Sequence, residues 1–146
     1  MRLWHKDLIP VLPKQQLMGQ WRECCAIARN IAVNGTPNHL LVNKVMGYPK
    51  WHFVRYAEMV ADECFKRGYM CDWNRIEKWL TEWQEGAVKY LGGSDSIVYE
   101  NWHNSRYFRQ CYFNLQEKYD CGGISLDEWV AIKNHALKER TSYETN

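Results

Sequence analysis

One carboxylate stands nearly alone in the first third of this chain, and the side chains around it are the ones that chemistry could use. Residues 1–55 contain eight Lys or Arg against two acids, Asp7 and Glu23, a balance of +6; residues 56–146 contain eleven against fifteen, a balance of −4. Glu23 lies in the stretch from Lys14 to Gly35, where Pro13 suits a first helical turn and Gly35 a left-handed stop, so a helix of about twenty residues is predicted. Leu17, Met18, Trp21, Cys24, Cys25, Ala28, Ile31 and Ala32 fall on its core-facing arc. Gln15, Arg22 and Arg29 line one flank of that arc, and Gln16, Gly19, Glu23 and Asn30 project from the other. Helical side chains lean toward the N-terminus, so Glu23 should reach over Gly19 into open space. A carboxylate so placed can move protons or stabilise a cation, and arginine forks match phosphate oxygens. The basic third suggests a polyanionic partner; the alternative is a solvated face balanced by the rest of the fold.

The elements that must position these groups read as helices. Residues 1–12, with Pro10 and Pro13 close by, are expected to be an extended arm. After Gly35 comes a loop with one helical turn around His39–Met46, bounded by Asn34-Gly35, Thr36-Pro37, Gly47 and Pro49. A second helix follows over Lys50–Arg67, stopped by Gly68. A third covers Asn74–Tyr90, and residues 92–96 are a loop. A fourth runs from Asn104 to Tyr119 and ends at Cys121-Gly122-Gly123. Ser125 and Glu128 form a capping box that opens a last helix to about Glu139, and residues 141–146 should fray. The fold class is all-α: one domain over residues 1–146, a compact bundle of three main helices with shorter ones added.

Composition narrows the classes further. With 146 residues the chain can bury a core. Eight Trp and nine Tyr are many for this length, which points to core and rim packing or to contacts with nucleic acid or protein. No apolar run is long enough to span a membrane, and residues 1–10 are too polar for a signal peptide, so a cytosolic chain is expected. The six Cys form no CxxC pair and no zinc spacing. Reduced thiols, no metal and no cofactor are expected.

The string QQLMGQWRE, residues 15–23, resembles the pyrimidine-dimer DNA glycosylases, the endonuclease V family of phage and bacterial base-excision enzymes. ECFKRGY, residues 63–69, is similar to the end of that family's second helix, and IVYENWHNSRYFRQCYFNLQEK, residues 97–118, to its last core helix. The opening residues 1–26 are closer still to small bacterial members. The resemblance covers residues 1–68 and 97–118 in the family's order and leaves 69–96 and the last helix without counterpart.

It implies an enzyme that attacks C1′ of a damaged nucleotide with its own α-amine, forms an imine and cleaves the strand by β-elimination. Glu23 is then the catalytic carboxylate and Met1 carries the nucleophile. Arg22 and Arg29 hold phosphates beside the lesion, Gln15 and Gln16 touch backbone or sugar, and Arg2, Lys6 and Lys14 are general phosphate contacts. His39 lies near the site by similarity. The partner is double-stranded DNA, kinked with a base extruded, and a monomer is expected. One departure stands out: residue 2 is Arg, whose bulk keeps Met1 in place and moves the amine one residue outward. The rivals are a non-catalytic DNA-binding module, in which Glu23 merely pairs with an Arg, and a protein-interaction domain that uses the aromatic surface.

Overall fold

The computed structural model describes residues 1–84 and 94–144, with side chains through residue 140. Five α-helices carry the fold: α1 Lys14–Asn34, α2 Lys50–Lys66, α3 Asn74–Glu82, α4 Ser105–Asp120 and α5 Leu126–Glu144. Three 3-10 turns, Lys6–Val11, Asn43–Gly47 and Asp95–Ile97, complete it, and there is no strand among the described residues. α1 packs against α2 and α3, α5 packs against α4, and the turn Lys6–Val11 lies between α2 and α5.

Local signals set most of the helix ends. Gly35 takes φ +79° and returns its amide to Ile31 O at 2.8 Å, the left-handed stop expected after α1. Asn104 caps α4 by accepting from Tyr107 N at 2.9 Å. Ser125 and Glu128 close the capping box in both directions, at 3.1 and 3.2 Å. α3 ends earlier than its periodicity suggested: Trp83 turns extended at ψ 101°, and the remainder of the expected helix, 85–90, lies outside the described residues. Thr141–Glu144, expected to fray, continue α5, since no Gly or Pro interrupts them.

The largest correction concerns the first twelve residues. They are no extended arm but part of the core: Leu3, Trp4, Leu8, Ile9 and Leu12 are all buried, and residues 6–11 wind into the 3-10 turn. Burial of this apolar set outweighs the extending effect of its prolines. Pro10 sits three residues after Asp7 and has no N–H to give its carbonyl. His135 Nε2 of α5 bonds Asp7 O instead. Arg67 holds the end of the turn, donating to Leu12 O at 2.7 Å, Pro10 O at 3.0 Å and Ile9 O at 3.3 Å.

The aromatic rings of the described residues are mostly buried or partly buried. Tyr48, His52, Tyr99, Trp102, His103 and Tyr107 contact one another in a continuous cluster. The exposed aromatics among the described residues are Phe65 and Phe113.

Two buried imidazoles make stability depend on pH. His5 is held down to about 4 by burial, partly opposed by the Asp7 carboxylate, and burial also lowers His103, whose Nδ1 accepts from Lys6 N at 2.9 Å. An unfolded imidazole titrates near 6.5, so the folded state keeps its full advantage above that value. The advantage is lost as pH falls from about 6.5 toward 4, because the unfolded chain then binds the extra protons. Urea midpoints should therefore drop steeply across that window, by the equivalent of a few kcal/mol, and more gently in a His103→Gln variant.

Candidate functional site

α1 presents two side chains, Gln20 and Glu23, toward the first residues of the chain. Gln20 is the pivot. It is 1% exposed, and its amide meets four polar groups. Oε1 accepts from Trp4 N at 2.7 Å and lies 2.9 Å from Tyr56 Oη; Nε2 donates to Arg2 O at 2.9 Å and Glu23 Oε2 at 3.3 Å. One side chain thus fixes the backbone on both sides of Leu3 and turns Glu23 toward it.

Glu23, half-buried, also accepts from the backbone N–H of Arg2 at 3.3 Å. The α-nitrogen of Met1 lies at most about 3.8 Å further along the chain, on a residue 38% exposed. The carboxylate therefore faces the start of the chain. The space over Gly19 is not its territory, since the nearest atom to a Cβ at Gly19 would be Arg22 Nη2, at 3.8 Å.

Other elements hold the same segment. Tyr56 Oη of α2 donates to Trp4 O at 2.6 Å or to Gln20, and Tyr107 Oη of α4 donates to Leu3 O at 2.5 Å. Burial pushes both phenols up, so they stay neutral donors. The Arg2 guanidinium stacks on Trp4, 5.2 Å from the ring centre. Gln16 Oε1 is enclosed and has no hydrogen-bond donor among the described residues.

The cations separate into two groups. Lys6 is 7% exposed, and its ammonium meets Asp95 O at 3.0 Å, Ser96 O at 2.7 Å and Val98 O at 2.6 Å. It is an internal cap, not a phosphate contact. Lys50 bonds Leu80 O and Trp83 O, and Arg55 grips Asp95 with two nitrogens at 2.8 and 2.9 Å. Among the described residues, Arg2, Lys14, Arg22, Arg29 and Lys44 form no ion pair. Arg22 and Arg29 are exposed along one flank of α1, Arg29 with its guanidinium 5.9 Å from the Trp79 ring centre. Lys14 lies over Tyr69 at 4.9 Å, with Gln15 exposed beside it. The hydrogen bonds of His39 stay within its own loop, to Asn43 and Leu41, so the structure does not join it to Glu23.

The family model described as pyrimidine dimer DNA glycosylase matches residues 1–77, which contain Glu23, Gln20, Tyr56 and the buried opening segment. The chain belongs to the pyrimidine dimer DNA glycosylase family. No curated protein and no solved structure matches it. The family match ends inside α3, so the similarity of residues 97–118 lies beyond it.

Sequence reasoning missed Gln20, Tyr56 and Tyr107. A signal for Gln20 was present: it lies three residues after Leu17 and four before Cys24, a polar residue at core spacing. Gln20→Ala should leave Trp4 N and Arg2 O without their partner and cost about 2–4 kcal/mol in urea unfolding. Tyr56→Phe should cost about 1–2 kcal/mol by the same measurement.

Proposed function

We propose that the chain excises pyrimidine dimers from duplex DNA as a glycosylase with AP-lyase action, using its own α-amine as nucleophile and Glu23 as the adjoining acid and base. The observation that carries this reading is the contact of Glu23 Oε2 with Arg2 N at 3.3 Å, which brings a carboxylate to the start of the chain. In this chemistry the amine nitrogen bonds to C1′ while the glycosidic bond breaks, its electron pair leaving on the pyrimidine. The amine sheds two protons, one to the departing base and one to the ring oxygen as the sugar opens to the imine. Loss of a C2′ proton to Glu23 then expels the 3′ phosphate. An ordinary α-amine, with pKa about 7.7–8.0, is partly neutral near pH 7, whereas an ordinary Lys, near 10.4, is not.

Arg22 and Arg29 hold phosphates along the exposed flank of α1, with Lys14, Gln15 and Arg2 extending that contact. Gln16 offers its undonated acceptor to the bound nucleotide. His39 belongs to the loop that follows. The Arg2 nitrogen that Glu23 contacts is an amide while Met1 is present, and removing Met1 would make that same nitrogen the nucleophilic amine.

Glu23→Gln should lower strand cleavage of dimer-containing duplex by roughly 10²–10⁴-fold, with DNA binding retained. Borohydride should trap an adduct on abasic duplex that peptide mapping assigns to Met1, and deletion of Met1 with Arg2→Thr should raise turnover. Trapping on Lys14 would overturn the α-amine, and binding without trapping or cleavage would favour the non-catalytic module. Arg22→Ala should weaken binding and lower the salt slope by about one phosphate contact, and Arg29→Ala should do so less strongly.

A further inference from the structure

The loop that joins α1 to α2 presents apolar side chains to solvent. Leu40 is 87% exposed and Leu41 50%, yet the loop's backbone is tied firmly into itself. Val42 N and Asn43 N donate to His39 O at 3.0 and 2.9 Å, and Asn43 Oδ1 accepts from His39 N at 3.0 Å. Thr36 Oγ1 accepts from Asn38 N at 3.1 Å, and Asn38 takes φ +54°, a left-handed turn that Asn tolerates. Pro37, Val42 and Val45 are buried beneath. Two leucines are thus held outward on a braced support.

The loop sits on the side of α1 that carries Glu23. Asn30 Nδ2 donates to Pro37 O at 3.4 Å, and Asn30 follows Glu23 by seven residues, two turns and about 10 Å of helix. No Asp or Glu occurs between Glu23 and Glu58. A polyanion approaching Glu23 therefore meets no acidic side chain from this stretch, and Arg29 and Lys44 flank the leucines in sequence.

We infer that Leu40, backed by Leu41, is an apolar wedge that enters a base step of the DNA bound at Glu23. The inference rests on the proposed action on duplex DNA. Exposing a nucleotide to a side chain requires unstacking, which costs a few kcal/mol per step; an apolar side chain inserted into the opened step replaces part of the lost contact and kinks the duplex. The offset from Glu23 to Asn30, whose side chain meets the loop, spans about three steps at 3.4 Å each. The wedge therefore enters a step beside the damaged nucleotide, not the vacancy of the lesion itself.

The test uses the full chain, Leu40→Ala and Leu40→Phe, with duplexes carrying a dimer or a stable abasic analogue and 2-aminopurine at each of the neighbouring steps. Binding of the wild-type protein should raise fluorescence at one step beside the lesion. Leu40→Ala should lose that rise and lower kcat/KM on duplex dimer about tenfold or more, while turnover of a single-stranded dimer stays unchanged; Leu40→Phe should retain both. Binding with no rise at any step overturns the wedge, as does a Leu40→Ala loss that is equal on duplex and single strand. A rise on binding without cleavage of either substrate upholds the wedge and sinks the catalytic reading of Glu23.

Discussion

The side-chain amide of Gln20 stands in for a peptide group. It accepts from Trp4 N and donates to Arg2 O, as the backbone of a neighbouring strand would, in a fold whose described residues contain no strand. The opening segment is too short to make a helix of its own before residue 6 and too apolar to remain in water. Burying it would strand its amides and carbonyls at a cost of about 1–3 kcal/mol each, and Gln20, Tyr56 and Tyr107 meet that demand from three helices. The same amide also reaches Glu23. Burial of the opening segment and the aim of the carboxylate are therefore one arrangement.

Cations serve a parallel purpose for carbonyls. Lys6 meets the turn Asp95–Ile97, Lys50 the end of α3 and Arg67 the end of the turn Lys6–Val11. Helical ends leave carbonyls without internal donors and carry partial negative charge, so a cation from another element satisfies both needs. The cost falls on the surface. Lys6, Lys50 and Arg55 are engaged internally, and the basic face is narrower than the charge balance of residues 1–55 implied.

Legibility followed the range of the controlling interaction. Pro13, Gly35, Asn104 and the Ser125–Glu128 pair act within a few residues, so the limits of α1 and α4 and the start of α5 could be read from sequence. Glu23 stands out in the sequence as an isolated acid in a basic stretch, but its contact with Arg2 N, 21 residues away, had no local signal. Residues 1–12 were misread because the groups that pull them into the core lie far away: Tyr56 is 52 residues from Trp4, and His103 97 from Lys6. Lys6 looked like a surface cation for the same reason, since its burial depends on residues 95–98. The end of α3 was overestimated because periodicity continues through Trp83 where the backbone does not.

His135, bonded to the carbonyl that Pro10 leaves unmatched, lies 128 residues beyond it, and Tyr107 is 104 residues from Leu3. A chain emerging from the ribosome exposes its first residues at once but makes their last partners at the end. Contacts so distant in sequence form late, after their loop-closure entropy has been met. The amino-terminal segment therefore stays accessible through nearly the whole of synthesis and is withdrawn only when α4 and α5 are complete. Any reagent that reads the largely buried residues Leu3 to Leu12 as a peptide acts on an open chain during this interval, before the fold closes over them.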